Sequence, residues 1–206
     1  MPRTVAIASQ KGGVGKTTIS MGLAGLSSEY LKTLLVDIDK QGSANYWIEQ
    51  IEATGRQPSF DFTQDTDPAN LATLRHLDEY DMIVVDTPGS LDDPARFEAV
   101  LSACDFVVIP VLAEVLSLAP IVTTIQELII PRQLEYGVLV NKVSPRPDGK
   151  LDLQDCHQLL DSEGIRYFSA AIRHYKAVST APLAGRTVAD FQATEKAEAQ
   201  AIIDMQ

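Results

Sequence analysis

The sequence predicts an α/β fold: a mostly parallel, twisted sheet with helices on both faces. Two observations carry the prediction. Short apolar runs rich in Val, Ile and Leu recur along the 206 residues, and helix-like stretches separate them. Three of these runs end in a glycine loop or in acids, at residues 10–18, 37–39 and 86. Open parallel sheets place their chemistry at such carboxyl ends.

Residues 4–8 read as the first strand and residues 19–30 as a helix. Between them lies Gln10-Lys11-Gly12-Gly13-Val14-Gly15-Lys16-Thr17-Thr18. Strand, glycine loop and helix in that order make a phosphate-binding loop. Glycines let the backbone curl until successive N–H groups face one centre. The helix that starts there adds unpaired N–H groups and partial positive charge. Lys16 then reaches the β- and γ-phosphates, and Thr17 offers its hydroxyl to Mg²⁺.

Residues 34–39 form a second buried strand ending in Asp37 and Asp39, with a helix at 44–53 capped by Ser43. A short strand is expected at 59–62. Asp67-Pro68 starts a helix running to 78. The run 81–86 ends in Asp86, followed by Thr87-Pro88-Gly89. A carboxylate at that place holds Mg²⁺ directly or through water. Asp92 or Asp93 with Pro94 starts a helix to 103. Residues 105–111 are a near-continuous apolar run after Asp105, so that strand is central. A helix at 118–130, a strand at 134–140 ending in Asn141, a loop at 144–150, a helix at 151–163 and a strand at 166–168 follow. A final helix closes the chain.

The box Lys11-Gly12-Gly13-Val14-Gly15-Lys16-Thr17 resembles the deviant Walker A motif of the ParA/MinD family of P-loop ATPases. It has Gln10 where the general pattern has glycine. The resemblance spans the whole chain, including a C-terminal signature at 168–188, and is nearest the short ParF-like plasmid partition proteins. It implies a single P-loop NTPase domain over 1–206, with ATP and Mg²⁺ as cofactors. It implies ATP contacts along Lys11, Gly12, Gly13, Val14, Gly15, Lys16, Thr17 and Thr18, with Mg²⁺ at Thr17 and Asp86. Lys11 reaches the partner subunit's nucleotide in an ATP-bound homodimer. Asp39 activates the attacking water beside Lys11 and Lys16. The family's acidic box has proline where this chain has Lys40. In relatives a residue at the place of Asn141 contacts adenine.

The net charge is −11, which argues against a surface that binds nucleic acid everywhere. Yet residues 164–189 hold no Asp or Glu and carry Arg166, Arg173, Lys176 and Arg186. Such a run predicts a local patch for nonspecific DNA. The family resemblance adds release from DNA after slow hydrolysis, stimulated by a ParB-type adaptor. It also implies a cytoplasmic, nucleoid-associated protein. Cys104 and Cys156 are too few for a disulfide framework. No apolar run spans a bilayer, and the residues 195–206 lack the basic face of a MinD-like membrane helix. A synthetase or kinase on the same scaffold is the other alternative.

Overall fold

The computed structural model describes residues 1–89, 93–113, 119–192 and 194–205. Its strands are β1 (Arg3–Ile7), β2 (Thr33–Asp37), β3 (Asp61–Gln64), β4 (Met82–Asp86), β5 (Phe106–Leu112), β6 (Glu135–Val143) and β7 (Tyr167–Arg173). They form one seven-stranded sheet in the order β3-β2-β4-β1-β5-β6-β7, and each adjacent pair is parallel. The helices are α1 (Lys16–Ser27), α2 (Ser43–Ala53), α3 (Pro68–Leu71), α4 (Pro94–Ala103), α5 (Ala119–Thr124), α6 (Pro147–Ser162), α7 (Lys176–Thr180) and α8 (Lys196–Met205).

Both sheet faces are covered, which explains why β1, β2 and β4 read as unbroken apolar runs. On one face Met21 of α1, Trp47 and Ile51 of α2, Val178 of α7 and Ala201 of α8 pack on Leu35, Val84 and Ile172. On the other, Leu71 of α3 and Val100 of α4 cover Val36 and Ile83, while Leu160 of α6 covers Val138 and Val140. Burying one such side chain contributes about 1.5–3 kcal/mol. The layers therefore hold the strand ends rigidly.

Strand register decides where the site forms. Ile7 and Asp37 both lie opposite Asp86, so the ends of β1, β2 and β4 are level. The glycine loop leaves β1 at that level.

Several boundaries differ from the sequence expectation. The helix expected at 118–130 is described from Ala119 as α5, followed by a π-turn at Ile125–Ile129 and a 3₁₀ turn at Ile130–Arg132. Pro131 lacks an N–H and cannot continue α-helical bonding there. The helix after Asp67 lasts one turn before a 3₁₀ turn at Leu74–His76, although Asp67 caps it as expected through Ala69 N at 2.9 Å. Asp93 likewise caps α4, accepting from Arg96 N at 3.1 Å; Asp92 lies outside the described residues. Helix α6 begins inside the expected 144–150 loop, with Pro147 in its first turn. Strand β7 runs on to Arg173 because it continues pairing with β6 across register irregularities. Ser43 caps nothing. The N-cap of α2 is Gly42 in the left-handed region, φ 64°, and the cap acceptor comes from Asp37.

Candidate functional site

The loop between β1 and α1 curls as its glycines require. Gly13 has φ 76° and Gly15 has φ 93°, conformations that side chains disfavour. Gly15 is the N-cap of α1 and no side chain caps the helix, so its first N–H groups are available to a ligand. Val14 is the exception in the loop, with its side chain buried in the protein.

Lys16 sits in the first turn of α1, 8 % exposed. Its ammonium donates to the Lys11 carbonyl at 3.2 Å, inside the curl of the loop. Burial lowers its pKa, while the negative charges of Asp86 and Asp39 raise it. A cation held this way favours an anion that would complete its solvation. Lys11 is partly buried at the start of the loop.

Asp86 ends β4 and is almost wholly buried. Ser20 Oγ donates to its Oδ1 at 3.0 Å, and the nearby Thr17 hydroxyl favours the charged form of the same carboxylate. Loss of hydration pushes the Asp86 pKa up to about 7, against the pull of these hydroxyls and of Lys16. The structure places Thr17 near the Asp86 carboxylate. Beyond Asp86, Thr87 Oγ1 ties to the Ile7 carbonyl at 2.8 Å. Gly89 packs against the loop, where a Cβ would stand 3.4 Å from Gly12 Cα and 3.5 Å from Lys16 Nζ.

The two acids after β2 have separate duties. Asp37 is buried and accepts from Asp39 N at 2.9 Å, Ala44 N at 3.2 Å and Asn45 N at 3.3 Å. Desolvation raises its pKa while those N–H groups lower it. It is the fastener of the loop and of α2. Asp39 is partly exposed, and its Oδ1 accepts from Gln41 N at 2.9 Å. Asp39 lines a cleft of about 290 Å³ with Gly12, Gly13, Gly15, Lys16 and Thr17. Thr18, Ser43, Thr87, Gly89 and Lys142 complete that lining.

Two contributors escape a motif reading. Arg96 of α4 is buried and donates to the Ile38 carbonyl at 3.2 Å, to Thr66 O at 3.2 Å and to Asp93 at 2.8 Å. It anchors the residue before Asp39. Lys142 follows β6's Asn141 in the left-handed region, φ 57°, and its ammonium donates to the Gly13 carbonyl at 2.7 Å. No spacing rule in the sequence marks either one.

Asn141 reaches the loop from β6. Its Nδ2 donates to the Val14 carbonyl at 2.7 Å, and its Oδ1 accepts from Lys142 N at 2.8 Å. The amide braces the phosphate loop, and a Cβ on Gly15 would meet its Nδ2 at 2.3 Å.

The basic run also changes meaning in three dimensions. Arg173 forms a two-pronged pair with Asp204 of α8, Nε at 3.0 Å from Oδ2. Arg186 does the same with Glu198, at 2.9 and 3.0 Å, and lies over the Phe191 ring. Arg166 pairs with Glu135. Acids distant in sequence thus neutralise three of the four cations. Lys176 is exposed at the start of α7.

The comparisons with known proteins agree with this geometry. The CobQ/CobB/MinD/ParA nucleotide binding domain model matches residues 5–188. The chain belongs to that family. It is 38 % identical over 200 residues to the maintenance of carboxysome distribution protein A of Gloeobacter kilaueensis, covering 97 % of this chain and 90 % of that one. It is 30 % identical to the chromosome-partitioning ATPase Soj of Thermus thermophilus, covering 93 % and 89 %. Among solved structures, the Aquifex aeolicus cell division protein MinD superposes with TM-score 0.76 at 21 % identity, covering 98 % and 94 %. An ATP complex of Cyanothece McdA superposes with TM-score 0.71 at 18 % identity, covering 99 % and 94 %. These two likenesses show the shared fold. Among the described residues, no helix is long and apolar enough to cross a membrane.

Proposed function

We propose that this chain is an ATP-hydrolysing positioning protein of the ParA type. The observation that carries the reading is the cleft at the glycine loop lined by Lys16, Thr17 and Asp39, with the buried Asp86 carboxylate behind it. The donor set fits a nucleoside triphosphate with Mg²⁺. One buried carboxylate with hydroxyls around it, beside a cation and unpaired helix N–H groups, matches what Mg²⁺ and phosphates share. The ion neutralises phosphate charge when bound. Lys16 leaves the Lys11 carbonyl for the phosphates, the α1 N–H groups hold the same oxygens, and Asp39 orients water.

The finer parts follow from the motif and the relatives. Lys11 reaches a partner subunit's nucleotide, so ATP promotes a homodimer, and hydrolysis is slow until a ParB-type adaptor stimulates it. The relatives named for carboxysome distribution and for chromosome partitioning support a cargo-positioning role. Binding to nonspecific DNA belongs to the same reading. With Arg166, Arg173 and Arg186 paired, it draws on Lys176 and on charge doubling in a dimer. The test is phosphate release from ATP with and without DNA, at two salt concentrations. The reading expects Mg²⁺-dependent hydrolysis, and DNA binding seen with ATP alone and weakened steeply by salt. No hydrolysis and no nucleotide-dependent DNA binding would overturn it.

A further inference from the structure

Resting on that nucleotide reading, we propose that Lys142 is a positioning residue for the triphosphate, a third lysine acting on the same loop as Lys11 and Lys16. A peptide unit is planar and trans, so its C=O and the next N–H point in opposite directions. Fixing a loop carbonyl on one side therefore aims the following N–H to the other. Asn141 holds the Val14 carbonyl, which aims the Gly15 N–H; Lys142 holds the Gly13 carbonyl, which aims the Val14 N–H. Two consecutive N–H groups of the loop are set before any ligand arrives, by two consecutive residues at the end of β6.

The backbone shows that this arrangement is imposed. Lys142 is one of two non-glycine residues with positive φ among those described, and β6 pairing ends one residue later. A lysine in the left-handed region carries strain that persists only where surrounding contacts over-determine it. Here Asn141 Oδ1 takes the Lys142 N–H, and the ammonium takes the loop carbonyl. The left-handed turn falls within the β6–β7 register irregularity, and it aims the Lys142 side chain at the loop. The side chain also lines the phosphate cleft beside Gly13 and Thr18, so its charge adds to the field there. The loop N–H groups hold phosphates in the ground state and in the transition state alike. Lys142 should therefore act on KM more than on kcat.

The test uses the full chain and three variants, Lys142→Met, Lys142→Gly and Lys142→Arg, with fluorescent ATP-analogue titration, steady-state hydrolysis and thermal melts without nucleotide. Lys142→Met and Lys142→Gly should each weaken nucleotide binding about fivefold, with KM rising by more than kcat falls. Lys142→Gly accepts the left-handed backbone, so its nucleotide-free Tm should be no lower than that of the unsubstituted chain. Lys142→Arg should recover most of the affinity. Unchanged affinity in Lys142→Met and Lys142→Gly overturns the proposal while leaving the ATPase reading standing. Lost affinity with a lowered Tm in Lys142→Gly also overturns it, because the residue would then be a general support of the fold. If the unsubstituted chain binds no nucleotide, the ATPase reading itself fails.

Discussion

The strand-end site and the C-terminal segment from β7 to α8 both collect charge, yet they treat it differently. At the strand ends, Lys16, Asp86 and Asp37 are buried, and their partners are mostly backbone groups, hydroxyls and each other's fields. At the C-terminal segment, Arg173 and Arg186 meet carboxylates head on and are closed into pairs. In the first region, full solvation of Lys16 needs a ligand, while Asp37 fastens the backbone behind it. The second consists of finished contacts that fasten α8 to β7 and to the segment around Arg186. An acid-free run in one dimension is therefore no guide to field in three, because Glu135, Glu198 and Asp204 arrive from other elements.

The sharpest way to break the contrast is to remove Lys16. Lys16→Ala should lower affinity for ATP by about 100-fold or more, since a buried charge-assisted contact is lost. Equilibrium binding checks it. Asp39→Ala should leave binding within a few fold and reduce phosphate release by about 100-fold, the usual range for a group that handles a proton or orients water. A matched loss of binding would make Asp39 part of the phosphate grip instead.

Asp37 tests whether the buried acids really divide their labour. Asp37→Ala leaves the N–H groups of Asp39, Ala44 and Asn45 without their acceptor. The cost is about 1–3 kcal/mol for each buried orphan, offset in part by the desolvation of the carboxylate itself. The expected net fall is on the order of 2 kcal/mol, read as a Tm drop of roughly 4–8 °C. Catalytic loss without lost stability would contradict its fastening role.

The pH dependence follows from Asp86, whose pKa stands near 7 in the folded chain against an ordinary carboxylate value. Between those values the folded state holds more protons than the unfolded state. Nucleotide-free stability contributed by this group therefore declines as pH rises through that window and levels off above it. Asp86→Asn should flatten the slope and raise the nucleotide-free Tm at pH 8 by a few degrees, while removing Mg²⁺-dependent hydrolysis. Thermal melts over pH 5–8 check the sign. The smallest effect separates the paired cations of the C-terminal segment from the exposed one. Arg186→Ala should cost about 1 kcal/mol of stability and leave DNA affinity nearly unchanged, whereas Lys176→Ala should do the reverse, weakening DNA binding a few fold.

The parts of the molecule that sequence reveals share one property: their residues are neighbours along the chain. The phosphate loop was legible because β1, the glycines and Lys16-Thr17 follow one another, and Asp86 because it ends an apolar strand. Helices on both faces followed from unbroken strand hydrophobicity. What stayed hidden depends on contacts between distant segments. Arg96 reaches Ile38, Asn141 reaches Val14 and Lys142 reaches Gly13 only after the sheet places β4, β1, β5 and β6 in spatial order. The capping of α2 by Asp37 in place of Ser43 is a nearer contact, hidden because the turn at Gly42 folds the helix start back on the strand end.

The central claim is that nucleotide held at this loop controls assembly through Lys11. Light scattering of the full chain with Mg²⁺ and a non-hydrolysable ATP analogue, against ADP, tests it most directly. The account predicts a dimer with the analogue, a monomer with ADP, and a monomer in both for Lys11→Ala although that variant still binds the analogue. A chain that binds the analogue and remains monomeric, or a Lys11→Ala variant that dimerises as the unsubstituted chain does, would contradict it.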